Sequence, residues 1–135
     1  MTSSFIVDRY LCSNLSLIPV CGLVDLAFLV DSSATVGRKN WPKMLDFMKI
    51  LSSKLTVSPD HARIAVVSFS TEATLHVKLD SHVTLKSTEA AIDEIRWQGQ
   101  WTNTAAALRV MKNEVFKVCN VLECYRESYI LITII

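Results

Sequence analysis

The chain has no surplus of charge of one sign: 14 Lys and Arg against 13 Asp and Glu leave a formal +1 over 135 residues. A broad basic field is therefore lacking, and with it the electrostatic footprint of a nucleic-acid binder. No apolar run reaches the length that spans a bilayer. Cysteine is missing from the whole stretch Gly22 to Val118, and its four copies (Cys12, Cys21, Cys119 and Cys124) lie outside it. No histidine shares a zinc-like spacing with them. They allow three disulfide pairings among which the sequence does not choose, and buried or free thiols are the plain alternative. A Gly-rich phosphate loop, a His-Glu-x-x-His helix and a Gly-x-Ser-x-Gly turn are also lacking. So are internal repeats and low-complexity linkers. What remains is one globular domain, half hydrophobic and a fifth charged, without a recognisable catalytic set.

The feature that is present lies at Leu26 to Gly37, LAFLVDSSATVG. Its apolar run fits a central parallel strand covered on both faces. Such strands present ligand sites at their carboxyl ends. This end holds one carboxylate, Asp31, and the hydroxyls of Ser32, Ser33 and Thr35. That all-oxygen set suits a hard cation such as Mg²⁺. The plain reading of the same residues is a strand-to-helix turn in which Ser and Thr act as caps.

The rest of the chain reads as alternating strands and helices. A strand over Leu23 to Val30 leads to a helix starting at Asn40 or Trp41, because Pro42 is tolerated only in a first turn. Trp41, Met44, Leu45, Met48, Leu51 and Leu55 recur there at helical spacing. Pro59-Asp60 breaks the chain before a second strand, Arg63 to Ser70. A third, Thr74 to Leu79, alternates Leu75, Val77 and Leu79 with Thr74, His76 and Lys78, a half-exposed pattern. The short link between these two strands requires antiparallel pairing. Ala91, Ile92 and Ile95 mark a short helix after Ser87. Ala107, Leu108, Met111, Val115 and Val118 mark another, opened by Asn103-Thr104. Tyr129 to Ile135 reads as a fourth strand. The order β-α-β-β-α-α-β predicts an α/β domain, its sheet mostly parallel with one antiparallel edge strand. Residues 1–22 read as an N-terminal extension. Residues 11–24 are mildly apolar, like a degenerate signal segment, but lack a basic start and a small-residue cleavage site. Asn14-Leu15-Ser16 is a glycosylation sequon if the chain is secreted.

Several strings in this order resemble the von Willebrand factor type A domain: VDLAFLVDSSATVG, NWPKMLDF, RIAVVSFSTEA, TNTAAAL and YILIT. The resemblance runs from Val24 to Thr133 and is nearest in character to A domains of extracellular matrix and cell-surface proteins. It implies a Rossmann-like fold and a metal-ion-dependent adhesion site, in which Asp31, Ser33 and Thr35 form the first loop and Thr102 the second. Thr35 stands where the family usually has serine, and keeps the hydroxyl. The implied function is non-catalytic: a bound Mg²⁺ (or Mn²⁺ or Ca²⁺) completes its coordination with an acidic side chain of a matrix or cell-surface partner. The implied location is extracellular.

The same resemblance marks departures. Gln100-Trp101 stands where the family has glycine or a small residue, an expected source of crowding. The family's fourth strand runs into Thr-Asp-Gly, whereas Thr133 is followed by Ile134 and Ile135. The expectation is therefore an A domain truncated after its fourth strand, with the third metal loop and the C-terminal third missing. Weak or absent metal binding follows, as do an uncovered apolar face and self-association through the exposed fourth strand. Two further readings are a fragment without binding activity and an intracellular scaffold domain of this family. A phosphatase reading fails on Ser33, which stands where the Asp-x-Asp-x-Thr loop needs its acid–base carboxylate. His76 is expected to face solvent on an edge strand, and the Trp97 and Trp101 pair to serve packing.

Overall fold

The computed structural model describes residues 24–116 and the backbone of the strand 127–133. The elements are β1 (Val24–Asp31), α1 (Trp41–Ser52), β2 (Ala62–Phe69), β3 (Ala73–Val77), α2 (Leu85–Asp93), α3 (Thr104–Val110), a π-helical turn (Met111–Val115) and β4 (Glu127–Thr133). The strands form one sheet in the order β3-β2-β1-β4. β1 pairs in parallel with both β2 and β4, while β3 runs antiparallel to β2. This is the mixed α/β sheet expected from the element order, and β4 lies at its edge among the described residues.

Two apolar layers explain why β1 and β2 are near-continuous hydrophobic runs. On one face Phe28, Val30, Ile64 and Val66 pack against Trp41, Met44 and Met48 of α1 and against Ile92 and Ile95. On the other, Ala27, Leu29, Ala65, Val67 and Phe69 meet Ala107, Met111 and Val115. Each fully buried Val, Leu, Ile or Phe contributes about 1.5–3 kcal/mol, so these layers dominate the favourable side of folding. The expected uncovered face is thus absent from β1 and β2: Ala27, Leu29, Ala65 and Val67 are all fully buried beneath α3 and the turn after it.

The helices start where local chemistry dictates. Pro42 occupies the first turn of α1, where its missing N–H costs nothing. Gly37, at φ +77°, makes the turn that leads into it. α2 begins at Leu85, earlier than the apolar spacing predicts. The reason is a reciprocal cap: the Thr84 hydroxyl accepts from the Ser87 N–H, and the Ser87 side chain bonds back.

Two irregularities depart from simple periodicity. Leu75 pairs with Val67 but Val77 pairs with Val66, so His76 is the extra residue of a β-bulge. The bulge turns Leu75 and Leu79 toward the α3 layer and Val77 toward the α1 layer, which corrects the single-face alternation expected there. The strand also stops at Val77. In the third helix, the looser π winding keeps Ala107, Met111 and Val115, spaced by four, on one buried line. Leu108, expected on that face, is 47% exposed. Val118, Ile134, Ile135 and the four cysteines lie outside the described residues.

Candidate metal centre

Asp31 is the last residue of β1 and only 4% exposed. Its Oδ1 accepts the Ser33 backbone N–H at 2.8 Å. Its Oδ2 accepts no hydrogen bond among the described residues. The Ser33 and Thr35 hydroxyls lie 2.8 Å apart. Ser33 is buried and Thr35 is exposed, so the pair bridges the sheet edge and solvent. Ser32 alternates away: its hydroxyl faces the Phe69 carbonyl at 3.3 Å and Gln98 Oε1 at 3.1 Å. It belongs to the scaffold, which removes it from the hydroxyl set that the sequence suggests.

Thr102 is brought to the same edge by a backbone clamp. Ser32 accepts the Gly99 N–H at 2.8 Å, and Gln100 accepts the Ala34 N–H at 2.8 Å. Just beyond Thr102, the Asn103 N–H donates to Ser70 at 2.7 Å. Asn103 then caps α3 by accepting the Ala106 N–H. Thr102 itself is exposed between these anchors. The segment carrying Thr102 is therefore fixed to the loop carrying Ser33, although the two lie far apart in sequence.

Further residues around it reinforce the clamp, and of these Arg38, Gln98 and Gly99 carried no signal in the sequence. Trp97 Nε1–H donates to the Ser33 carbonyl at 3.1 Å, holding the first loop directly. Arg38 lies 5.5 Å from the centre of the Trp97 ring, within cation–π range. Gly99, at φ +69°, passes so close to that ring that a Cβ would meet it at 2.7 Å. Gln98 Oε1 accepts from the Ser70 hydroxyl at 2.5 Å as well as facing Ser32, joining the ends of β1 and β2. Gln100 turns its side chain toward Ser70 at 3.3 Å, and Trp101 is 86% exposed. Neither side chain is bonded to Asp31, Ser33 or Thr35 among the described residues. Trp97 serves packing as expected, but Trp101 does not, because its indole projects into water.

His76 is exposed on edge strand β3, as expected, yet its Nε2 lies 2.7 Å from the buried Ser68 hydroxyl. Burial pushes its pKa below the ordinary histidine value.

The donor set fits a hard divalent cation. A buried carboxylate with one open oxygen beside two adjacent hydroxyls is an oxygen-only cluster whose charge calls for a partner. No group of three or more His, Cys, Asp and Glu stands together among the described residues.

A mostly parallel sheet between two helical layers, with this loop at its carboxyl edge, defines the class, and comparison with known proteins agrees. The sequence matches the family model of the von Willebrand factor type A domain over residues 25–134, and the chain belongs to that family. It is 40% identical over 84 residues to the collagen alpha-6(VI) chain of Homo sapiens, a match covering 62% of this chain and 4% of that one. It is 27% identical to matrilin-2 of Mus musculus, over 70% of this chain and 10% of that protein. Proximal thread matrix protein 1 from the mussel byssus, solved with a zinc-occupied MIDAS motif, superposes with a TM-score of 0.68 at 28% identity. That superposition covers 74% of this chain and 26% of the mussel one. The chain therefore spans a small fraction of the length of the relatives it matches.

Proposed function

We propose that this domain is a non-catalytic protein-binding module of an extracellular matrix or cell-surface protein. In this reading Asp31, Ser33, Thr35 and Thr102 hold a divalent cation, Mg²⁺ by preference, at the carboxyl edge. The cation supplies the positive charge that an acidic side chain of the partner completes. Asp31 contributes the carboxylate, and the three hydroxyls contribute neutral oxygens. The clamp through Trp97, Gly99 and Gln100 fixes the spacing of the two loops before any ligand arrives. The observation that carries this reading is Asp31: the residue is only 4% exposed, yet only its Oδ1 is bonded among the described residues. Membership of a family whose matched relatives include collagen VI and matrilin chains supports the matrix setting. The outer edge of β4, which pairs with no further strand among the described residues, is a template through which two copies could associate.

Titration calorimetry with Mn²⁺ or Mg²⁺ alone tests the site. Weak, saturable binding is expected, lost in Asp31→Ala and Thr102→Ala and retained in Thr35→Ser, which keeps the oxygen. Thr102→Ala should leave stability within about 0.5 kcal/mol, because Thr102 is exposed and Asn103, not Thr102, caps α3. Binding that survives both Asp31→Ala and Thr102→Ala would place the cation elsewhere and overturn the reading.

A further inference from the structure

Beside Thr102 the surface opens into a depression of about 600 Å³ lined by Thr71, Glu72, Gly99, Gln100 and Trp101. Its walls are held by backbone bonds. Glu72 accepts the Ser70 N–H at 2.8 Å, the Thr71 carbonyl accepts from Asn103 Nδ2 at 3.2 Å, and Gln100 accepts from Ala34. Two side chains on this fixed frame have no ion pair or hydrogen bond among the described residues. The Trp101 indole is 86% exposed, a large apolar ring left in water. The Glu72 carboxylate is exposed and enters none of the ion pairs among the described residues. The other tryptophan of this segment, Trp97, already carries its own cation, Arg38.

We propose that Glu72 and Trp101 form a subsite for a basic side chain of the partner, arginine by preference. An aromatic face attracts a cation through its quadrupole. A carboxylate on the same depression takes the guanidinium N–H groups in paired hydrogen bonds. A guanidinium is planar and weakly hydrated, so it stacks on an indole better than an ammonium does. Neither group alone would distinguish a basic side chain from an apolar one or from any cation in solution; together they select a charged, stacking group. Because Trp101 directly precedes Thr102, the partner segment carries its basic residue close to its acidic one. That last step rests on the metal reading above, whereas the subsite itself does not.

The test uses the full chain with its tryptophans replaced by 5-fluorotryptophan, each ¹⁹F signal assigned by a Trp→Phe variant. With EDTA present, the tripeptide Ac-Gly-Arg-Gly-NH₂ is titrated against the neutral isostere containing citrulline. The arginine peptide should shift the Trp101 signal saturably in the millimolar range, with the Trp97 signal unmoved. Citrulline should leave Trp101 unshifted. Glu72→Gln should weaken arginine binding about fivefold, in line with the loss of a charge-assisted pair. A peptide carrying both Arg and Asp, in Mg²⁺, should bind about tenfold or more tighter than either residue alone. No Trp101 shift with arginine, or equal shifts with citrulline, would overturn the subsite. An arginine response in EDTA with no Mg²⁺-dependent gain for the Asp-containing peptide would sustain the subsite and sink the metal reading instead.

Discussion

β1 carries an aspartate near each end, and the two are buried almost equally: Asp25 is 5% exposed and Asp31 4%. Their surroundings differ in kind. Asp25 faces Arg63, its register partner on β2, which donates from Nε at 2.8 Å and from Nη2 at 2.6 Å. Both carboxylate oxygens are satisfied by one planar fork, the geometry in which a buried ion pair recovers its desolvation cost. Asp31 has one backbone N–H on one oxygen and, among the described residues, no cationic side chain. Equal burial thus covers two different states of pairing, and incomplete pairing is what the proposed cation site rests on. The amino end of β1 is closed by its own side chains, while the carboxyl end keeps one carboxylate oxygen without a hydrogen bond among the described residues.

The largest expected effect breaks the closed end. Arg63→Ala leaves the Asp25 charge buried without its partner and should destabilise the fold by about 3 kcal/mol, at the lower end for one-sided removal because Arg63 is partly exposed. Asp31→Asn, which keeps the acceptor for Ser33, should change stability by about 1 kcal/mol or less. Urea denaturation of both variants without added metal measures the contrast. Equal costs would show that both aspartates are structural, and the distinction between the two edges would fail.

The two ends were also unequally legible in the sequence. Asp31, Ser33 and Thr35 form a local string, so spacing alone suggests an oxygen cluster, and the order of strands and helices follows from apolar periodicity. Asp25 and Arg63 meet only once the parallel register is set, and no local pattern announces that pairing. The clamp at the carboxyl edge is equally non-local: Trp97 reaches Ser33 across 64 residues, and Gln98 reaches Ser32 across 66. The bulge at His76 and the π-turn after Val110 were hidden for another reason. Each inserts a local change of winding that burial of Val77, Met111 and Val115 stabilises, and periodicity rules assume constant winding. The reach of Trp101 into solvent has no sequence signal, since tryptophan is ordinarily read as core.

A smaller effect sharpens the picture of an edge kept open by design of its neighbours. Trp97→Phe keeps a ring over Gly99 but removes the N–H that holds the Ser33 carbonyl. Stability should fall by about 1 kcal/mol, the net worth of one hydrogen bond. Mn²⁺ affinity should fall about tenfold, because the groups that orient ligands govern a site nearly as much as the ligands do. The two readouts separate a positioning role from a packing role. A loss of stability with unchanged Mn²⁺ affinity would return Trp97 to simple packing and leave the open edge without a dedicated support.

The smallest expected effect concerns a third titratable group, intermediate between the two aspartates. His76 has one ring nitrogen held by the buried Ser68 hydroxyl, and burial sets its pKa below the ordinary value of about 6.5. Between the lowered value and about 6.5 the unfolded chain binds more protons at this site than the folded one, so stability rises with pH across that window. Acidification through about pH 6.5 should therefore weaken the fold, with the loss levelling off below the folded-state value. The ring is partly exposed, which keeps the effect small. His76→Gln retains a hydrogen-bonding group for Ser68 but cannot titrate, so it should flatten the pH profile of the urea midpoint between pH 5 and 7. An unchanged profile would assign the dependence to other groups.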